Sequence, residues 1–198
     1  MKRSQRSKVV MPSELINVEH PFYNSPSVQA AMLFDIVRTK EFEKAIKKIS
    51  KGKDILEIGT GTGILSLFAS RSGSRSVTAT EAANETFRTA KETIKNNRKN
   101  ISIIQYKDKP IKFKHNFDVI MSECLGHFAF DENMVSVVSK YKKHLKKDGV
   151  FMPRQISLFV ALVNNNEFYR QNIDSWNKKA YGFNFSAMRK LALERVYI

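Results

Sequence analysis

Three glycines at alternate positions constrain this chain more than any other feature of its sequence. Gly59, Gly61 and Gly63 follow a short apolar segment, residues 53–58, and open a helical pattern at residues 62–72. Glycine lets the backbone turn sharply and lie close against a ligand, because it has no Cβ. The segment therefore predicts a strand, a glycine loop and a helix that bind a nucleotide-type cofactor. The alternative is a glycine-rich turn with no ligand.

The spacing of the glycines separates two classes of cofactor. A dinucleotide-binding fingerprint has its third glycine three residues after the second, and Ile64 occupies that position here. Glu57 instead lies two residues before Gly59, and the arrangement E-x-G-x-G-x-G resembles motif I of the class I methyltransferases. That resemblance implies that Glu57 and the three glycines bind S-adenosyl-L-methionine.

A second acidic residue follows at a distance that supports an adenosine-containing cofactor. Residues 75–80 have the β-branched pattern of a second strand, and Glu81 ends it 22 residues after Gly59. An acid at this place is positioned to accept hydrogen bonds from ribose hydroxyls. The alternative for Glu81 alone is a negative charge that stabilises the start of the next helix.

Composition bounds the remaining possibilities. The chain has 198 residues, 42% of them hydrophobic, which is enough for one domain, or one and a fraction, with its own core. No apolar run reaches the roughly 18 residues that predict a transmembrane helix. Cys124 is the one cysteine, so the sequence predicts no internal disulfide and a reducing compartment. One cysteine and four scattered histidines predict no metal site.

The net charge of +15 is spread along the chain. We interpret the lysine-rich stretches as solvated faces of helices and loops, and we expect no specific nucleic-acid binding from them. Residues 1–20 are basic and are predicted to be a disordered leader, with a nuclear-localisation or nucleic-acid-binding tail as the alternative. The lysine-rich stretches are residues 40–53, 88–99, 107–114, 140–147 and 170–190.

Short strands and helices alternate along the sequence, which predicts an α/β fold with a parallel sheet and helices on both faces. The predicted strands are residues 53–58, 75–80, 101–104, 117–121, a strand that opens at 149, and 156–163. The predicted helices are residues 27–49, with a break near Thr39–Lys40, then 62–72, 83–97 and 131–146.

Two glutamates flank the loop after the fourth predicted strand. Glu123 follows that strand directly, and Glu132 opens the next helical pattern. Because ligands of open α/β sheets lie at the carboxyl ends of the strands, Glu123 is aimed at the cofactor. A guanidinium between two carboxylates would relieve their repulsion and pair with them bidentately. The alternative for Glu132 is an acid that favours a helix start.

This loop resembles the double-E loop of the protein arginine N-methyltransferases, S-E-W-M-G-Y-x-x-x-x-E-S-M, with the two glutamates at the family's spacing. Residues 32–39 are similar to the family's M-L-x-D-x-V-R-T helix, and residues 176–186 to its W-x-x-x-Y-G-F-D-M-S segment. The resemblance covers about residues 20–195. It implies a Rossmann-like class I methyltransferase fold with a helical N-terminal lid.

The resemblance also implies roles for single residues. Glu123 and Glu132 would be catalytic and clamp a substrate guanidinium. Arg38 would hold the carboxylate of the cofactor. Tyr23, Met32 and Met134 match substrate-site positions, the two methionines being typical of the type I members that form asymmetric dimethylarginine. Core packing is the alternative for a methionine on a helix.

Several positions depart from the family pattern. The family's Trp-Met-Gly-Tyr is Cys124-Leu125-Gly126-His127 here, and its lid histidine aligns with Gln29. In the loop after the third strand, only Asp108 is available to replace the acid that contacts adenine. Residues 21–153 are predicted to be the cofactor-binding domain. Residues 154–198 are predicted to start a truncated C-terminal substrate-binding region in which the family's β-barrel is missing.

We therefore predict an S-adenosylmethionine-dependent enzyme that methylates arginine-rich segments of proteins, histones among them, in the cytoplasm or the nucleus. The alternative is a catalytically degenerate cofactor-binding subunit that acts through a partner chain. A nucleic-acid methyltransferase is disfavoured, because Ser122-Glu123-Cys124-Leu125 does not match the Asn/Asp-Pro-Pro-aromatic motif of that class. Residues 156–163 are apolar on nearly both faces, so we expect a partner chain, self-association, or incorporation of this strand into the main sheet.

Overall fold

The computed structural model describes residues 24–97, 99–106, 111–126, 134–159, 161 and 164–194. These residues form two compact units, one that extends to Ile156 and one that begins at Ser157. The candidate site lies in the first unit.

A five-stranded parallel sheet, with strand order β3-β2-β1-β4-β5, forms the centre of the first unit. The predicted α/β class is confirmed. The strands are β1 Asp54–Ile58, β2 Ser76–Glu81, β3 Ser102–Gln105, β4 Phe117–Ser122 and β5 Leu145–Met152. The helices are α1 Pro26–Phe34, α2 Ile36–Ser50, α3 Ile64–Arg71, α4 Asn84–Asn96 and α5 Met134–Ser139, followed by a 3-10 turn, Lys142–His144.

Alternate residues of each strand face opposite sides of the sheet, and each side has its own core. On one side, Ile55 and Val119 pack with Ile46 of α2, Phe68 of α3 and Ile94 of α4. The second core lies on the other side and contains Leu56, Ile58, Phe117, Ile120 and Tyr141. The helices therefore cover both faces, as predicted.

The first helical pattern breaks earlier than its apolar repeat indicates. The structure places the break at Asp35, and the prediction of a break near Thr39–Lys40 was wrong. The side chain of Asp35 accepts a hydrogen bond from the backbone N of Arg38 at 3.0 Å and so caps the start of α2. Asp is a strong N-cap residue because its oxygen satisfies a backbone donor that the first helical turn leaves unpaired.

The predicted helix at residues 131–146 is also wrong in length. Among its described residues, α5 ends at Ser139 and β5 already begins at Leu145. The sequence of α5, Met-Val-Ser-Val-Val-Ser, is rich in β-branched residues that lower helix propensity. Leu145 pairs with Phe117 in the sheet, so tertiary pairing overrides the helical periodicity.

The second unit contains short elements. They are α6 Asn166–Asn172, a 3-10 turn at Asp174–Asn177, the antiparallel pair β6 Lys179–Ala180 and β7 Phe183–Asn184, and α7 Ala187–Leu193. Ile173 and Ala192 are buried. Arg189 of α7 donates to Asp174 Oδ1 at 3.4 Å.

The strand predicted at residues 156–163 is wrong for the residues that the structure describes. Residues 156–159 and 161 belong to no strand. Leu158 and Phe159 have 44% and 90% of their surface exposed. A strand needs a neighbouring strand for its hydrogen bonds, and none of the recorded strand pairs includes these residues. The apolar alternation alone does not supply that partner.

Candidate active site at the carboxyl ends of the strands

The predicted cofactor residues meet where β1 lies between β2 and β4. The chain leaves β1 through the glycine loop, leaves β2 at Glu81 and leaves β4 at Glu123. Because the three strands are parallel, these exits lie at the same edge of the sheet. Crevices at such an edge bind the ligands of open α/β folds.

The glycine loop is held by β2 and has little room for side chains. The backbone N atoms of Gly59 and Thr60 both donate to Thr80 O at 3.0 Å. Gly59 has φ +72°, and a Cβ built on it would lie 2.6 Å from Cys124 Sγ. A Cβ on Gly61 would lie 3.0 Å from Gln29 Oε1 of α1. Glycine is therefore required at Gly59 both by its backbone angle and by the close approach of Cys124.

Glu57 is buried beneath this loop, with 1% of its surface exposed. Its Oε2 accepts hydrogen bonds from Thr60 Oγ1 at 2.7 Å and from Ser66 Oγ. Its Oε1 is also buried, and no described residue donates a hydrogen bond to it. Burial raises the pKa of Glu57 to about 7, against the hydrogen bonds from Ser66 and Thr60, which lower it. Glu57 thus presents an acceptor without a donor, which a cation or N–H group near the loop would satisfy.

Glu81 is fixed by three backbone N–H groups. Its Oε1 accepts from Ala82 N at 2.9 Å and from Ala83 N at 3.1 Å. Its Oε2 accepts from Gly61 N at 2.9 Å, which joins the tip of β2 to the glycine loop. The carboxylate keeps further lone pairs, since an ionised carboxylate accepts about four hydrogen bonds. The structure thus brings Glu81 and the loop together as the sequence predicts.

Arg38 forms an ion pair with Glu123 that the sequence did not predict. The Arg38 Nη2 donates to Glu123 Oε2, and its Nη1 donates to Met32 O at 2.8 Å. The side chains of Arg38 and Glu123 are 30% and 18% exposed. Thr39 Oγ1 donates to Leu33 O at 3.1 Å, so Arg38 and Thr39 satisfy carbonyls at the end of α1. The M-L-x-D-x-V-R-T helix therefore joins α1 to the first glutamate of the double-E loop.

The remaining predicted site residues divide into two groups. Met32 is half-buried near the end of α1, and Met134 is buried at the first residue of α5. Tyr23 and Glu132 lie outside the described residues, as do His127 and Asp108. The convergence of Glu123 and Glu132 on one guanidinium therefore stays a prediction.

Sequence reasoning missed the residues that support the site from behind. Thr60 and Ser66 hold Glu57, and Ser122 Oγ donates to Ile58 O at 3.0 Å between β4 and β1. Cys124 lies against Gly59, and its Sγ is 3.8 Å from Ile58 O. Hydroxyl residues three and nine positions after Glu57 were the available signal for Thr60 and Ser66. Nothing in the sequence indicates the contact of Cys124.

Within the described ranges, no group of three or more His, Cys, Asp or Glu side chains is arranged to hold a metal ion. In the same part of the chain, no helix has the length and apolar character needed to cross a membrane.

Comparison with protein families places a methyltransferase domain at residues 55–149. The chain is 35% identical over 176 residues to the probable protein arginine N-methyltransferase 6.1 of Oryza sativa subsp. indica. That match covers 86% of this chain and 46% of the rice protein. Protein arginine N-methyltransferase 1.1 of Arabidopsis thaliana is 35% identical over 178 residues, which cover 86% of this chain and 45% of that protein. The chain thus spans about half the length of the curated relatives it matches.

Solved structures agree with these relatives. The PRMT1 enzyme–prozyme heterotetramer of Trypanosoma brucei, a complex with AdoHcy, matches with a TM-score of 0.73 and 25% identity over 86% of this chain and 55% of that chain. Protein arginine methyltransferase 10 of Arabidopsis thaliana matches with a TM-score of 0.66 and 26% identity over 88% of this chain and 55% of that chain. With its glycine loop and its Rossmann-like sheet, the chain has a methyltransferase domain at residues 55–149 and is similar over 86% of its length to protein arginine N-methyltransferases.

Proposed function

We propose that this chain binds S-adenosyl-L-methionine at the glycine loop and transfers its methyl group to guanidinium nitrogens of arginine in protein substrates. One observation carries the proposal. Glu81, at the end of β2, accepts a hydrogen bond from Gly61 N at 2.9 Å. Glu123 follows β4, which pairs with the other side of β1, at the same edge of the sheet. The acid proposed to bind ribose, the glycine loop and the acid proposed to bind a guanidinium thus follow strands at the same edge of the sheet.

The chemistry of the crevice fits this cofactor. S-adenosylmethionine carries a cationic sulfonium and a cationic amino group next to a carboxylate. The amino group has N–H donors for the unpaired Oε1 of Glu57, and the positive charge of either group, when it lies nearby, lowers the raised pKa of Glu57. The left-handed glycines allow the backbone to approach the nucleoside. Glu81 offers its remaining lone pairs to ribose hydroxyls.

S-adenosylmethionine supplies an activated methyl group when it is bound, and the residues of the chain position the acceptor. A guanidinium is protonated at neutral pH and a poor nucleophile. Glu123 accepts hydrogen bonds from it and aims one terminal nitrogen, which makes the reaction a matter of orientation and preorganised charge. Arg38 pairs with Glu123, and its guanidinium is also proposed to bind the cofactor's carboxylate. Glu132 is proposed as the second arm of the clamp.

A second candidate function has its own support. The ion pair of Glu123 with Arg38 occupies the carboxylate that would bind substrate. The similar solved structure from Trypanosoma brucei is a complex of an enzyme with a prozyme. A cofactor-binding subunit that acts through a partner chain would retain the glycine loop and Glu81 without binding substrate arginine itself. Assembly with a second chain, of the same or another kind, is therefore part of this proposal, as is a cytoplasmic or nuclear location.

Methyl transfer and ligand binding, measured together, separate the two candidates. The assay follows the labelled methyl of S-adenosylmethionine onto an Arg-Gly-rich peptide, and calorimetry measures binding of the demethylated product. An enzyme labels the peptide, and Glu123→Gln abolishes labelling while product binding is kept. Glu92→Gln, at an exposed glutamate of α4, is the matched control and keeps both.

The two negative outcomes have different meanings. Binding without labelling in the wild type supports the partner-dependent subunit. No binding of either ligand to a folded sample overturns both candidates. If Glu123→Gln labels the peptide as well as the wild type does, the proposed role of Glu123 is contradicted, but the proposed methyl transfer is not.

A further inference from the structure

Basic residues that are far apart in sequence lie together at the amino ends of the strands. All strands of the main sheet run parallel, so they begin at one edge, opposite the candidate site. Helices α2, α3 and α4 each end just before the next strand begins, and therefore end at this edge too. The loop before β1 contacts the loop before β2, since Gly52 N donates to Gly73 O and Arg75 N to Lys53 O, both at 2.8 Å.

Exposed lysines precede three of the strands at this edge. Lys51 and Lys53 lie before β1, Lys114 lies before β4, and Lys142 and Lys143 lie before β5. We call the surface formed by these five lysines the basic edge. Within the described part of the chain, none of the five has an ion-pair partner.

The acidic residues of the same edge do not neutralise these lysines. Asp54 accepts hydrogen bonds from Arg75 Nε at 2.8 Å and from Lys146 Nζ at 3.1 Å. Asp118 Oδ2 accepts from Lys146 Nζ at 2.9 Å and from the backbone N of Asp54 at 2.8 Å. These two carboxylates are only 17% and 18% exposed, and two other cations already compensate them. Asp148, in the bulge of β5 at this end, is exposed next to the exposed Lys147. With five further lysines at the edge, its exposed charge is positive.

We propose that the basic edge binds the phosphate backbone of a nucleic acid without reading its base sequence. Lysine is a compact charge on a flexible stem, which suits phosphate contacts rather than bidentate recognition of bases. These lysines are far apart in the sequence, so the sequence alone does not indicate that they form one surface. Parallel pairing brings the starts of the strands together.

The side chains of this edge favour a nucleic acid over a membrane. The large exposed apolar residues of the first unit lie elsewhere, at Phe34, Ile36, Val37, Val135 and Ile156. A membrane surface takes up large apolar side chains beside the basic ones, and large exposed apolar residues are absent from the described residues next to these lysines. His115, next to Lys114, is exposed, and a single imidazole offers one ring where the stacking of successive unpaired bases uses several. Contact with the backbone of a duplex fits the edge best.

The basic edge and the candidate site are separated by the length of the strands. Five residues of β1 span about 16 Å at roughly 3.3 Å each. A duplex on the basic edge therefore leaves the crevice open, and cofactor binding and nucleic-acid binding are expected to be independent. This inference does not depend on the proposed methyl transfer.

The test compares two variants of equal net charge in the full chain. The edge variant combines Lys51→Glu, Lys53→Glu, Lys142→Glu and Lys143→Glu. The control variant combines Lys40→Glu, Lys44→Glu, Arg88→Glu and Lys91→Glu, at exposed positions of α2 and α4 that lie at least one helical turn before these helices end at the edge. Fluorescence anisotropy measures binding to a DNA or RNA duplex of about 20 base pairs at several salt concentrations.

We expect the wild type to bind both duplexes with strong salt dependence. The edge variant should bind at least about 100-fold more weakly at low salt, and its slope of log affinity against log salt should be smaller by about 3 to 4. The control variant should lose far less. Thermal unfolding checks that both variants fold, and Gln at the four edge positions replaces Glu if the edge variant does not.

Three results would overturn the proposal. The first is no duplex binding by the wild type at low salt. The second is an equal loss in the edge and control variants, which would assign the effect to net charge. The third is preferential binding of the wild type to phosphatidylserine-containing vesicles over the duplex, which would assign the edge to a membrane surface.

Discussion

The two ends of strand β1 carry carboxylates with opposite environments. Asp54, at the start of the strand, is held by Arg75 and Lys146, and the guanidinium of Arg75 keeps the pKa of Asp54 well below its usual range. Glu57, three residues further along, is buried with one oxygen unpaired, and burial raises its pKa to about 7. Both belong to the same strand of the same sheet.

The difference shows which of the two carboxylates is fully paired within the chain. Asp54 and its neighbour Asp118 are compensated by Arg75 and Lys146, so this group of charges stabilises the fold without a ligand. At the carboxyl end, glycines keep side chains out, and Oε1 of Glu57 has no donor among the described residues. Buried polar groups are seldom left unpaired, so a ligand at the glycine loop would complete the hydrogen bonds of Glu57.

The largest expected effect tests the close packing of the glycine loop. Gly59→Ala places a Cβ 2.6 Å from Cys124 Sγ on a backbone with φ +72°. We expect the free energy of unfolding to fall by about 3 kcal/mol, from overpacking together with left-handed strain. Binding of the demethylated cofactor, measured by calorimetry, should be lost.

Gly52→Ala is the matched control for this variant. Gly52 has φ +68°, but no atom lies within 4 Å of its ideal Cβ. Gly52→Ala should lower the free energy of unfolding by about 1–2 kcal/mol, from backbone strain alone. Equal destabilisation by the two substitutions would mean that the approach of Cys124 contributes nothing.

The second effect concerns the pH dependence of stability at Glu57. Its pKa is about 7 in the folded chain and is 4.5 as the ordinary value. Between pH 4.5 and about 7, the folded chain keeps a proton on Glu57 that the unfolded chain releases. The contribution of Glu57 to the free energy of unfolding is therefore fully present below pH 4.5 and decreases as the pH rises towards 7. Glu57→Gln should remove this decrease, which is on the order of 1–3 kcal/mol.

Urea unfolding of the two proteins from about pH 5 to about pH 8 measures the effect. The difference between wild type and variant isolates Glu57, because the other titrating groups are common to both. Parallel stability curves would show that Glu57 titrates in the folded chain as it does in the unfolded chain.

A third effect tests the acid at the tip of β2. Glu81→Ala should weaken binding of S-adenosylmethionine or its demethylated product by about 1–3 kcal/mol, the scale of hydrogen bonds to a charged group. Glu85→Ala, at an exposed glutamate in the first turn of α4, is the control and should leave the affinity unchanged. Unchanged affinity in Glu81→Ala would separate Glu81 from the cofactor.

The smallest effect is expected at the opposite end of the sheet. Arg75→Gln should lower the free energy of unfolding only slightly, since the side chain of Arg75 is 59% exposed and solvent screens its ion pairs. The folded-state pKa of Asp54 is lowered from 3.8, so its ion pairs stabilise the chain at neutral pH and are lost as the pH falls below that value.

Wild type and Arg75→Gln should therefore differ at neutral pH, and urea unfolding should show the difference shrinking progressively as the pH falls below 3.8. A larger loss at acid pH than at neutral pH would contradict the sign of this linkage. Comparison with Glu57→Gln then tells whether the two ends of β1 respond to pH in opposite directions.

The sequence by itself determined the class of fold and the cofactor loop, because both depend on local patterns. Alternating strands and helices set the parallel sheet, and the glycine spacing with Glu57 and Glu81 set the loop. The structure places β1 to β4 and the helices α3 and α4 within one or two residues of their predicted bounds, whereas β5 begins four residues before the predicted opening at 149. These elements depend on residues that are near one another in the sequence, so they can be predicted without knowing the contacts of the rest of the chain.

Tertiary structure alone decided the features that join distant segments. The pairing of Leu145 with Phe117 ends the helix predicted at residues 131–146 early. Residues 156–159 pair with none of the described strands and are irregular. The ion pair of Arg38 with Glu123 spans 85 residues, and the basic edge gathers lysines that precede three different strands. Local periodicity cannot predict such contacts, because each one depends on which strands are neighbours in the sheet and on where the sheet ends.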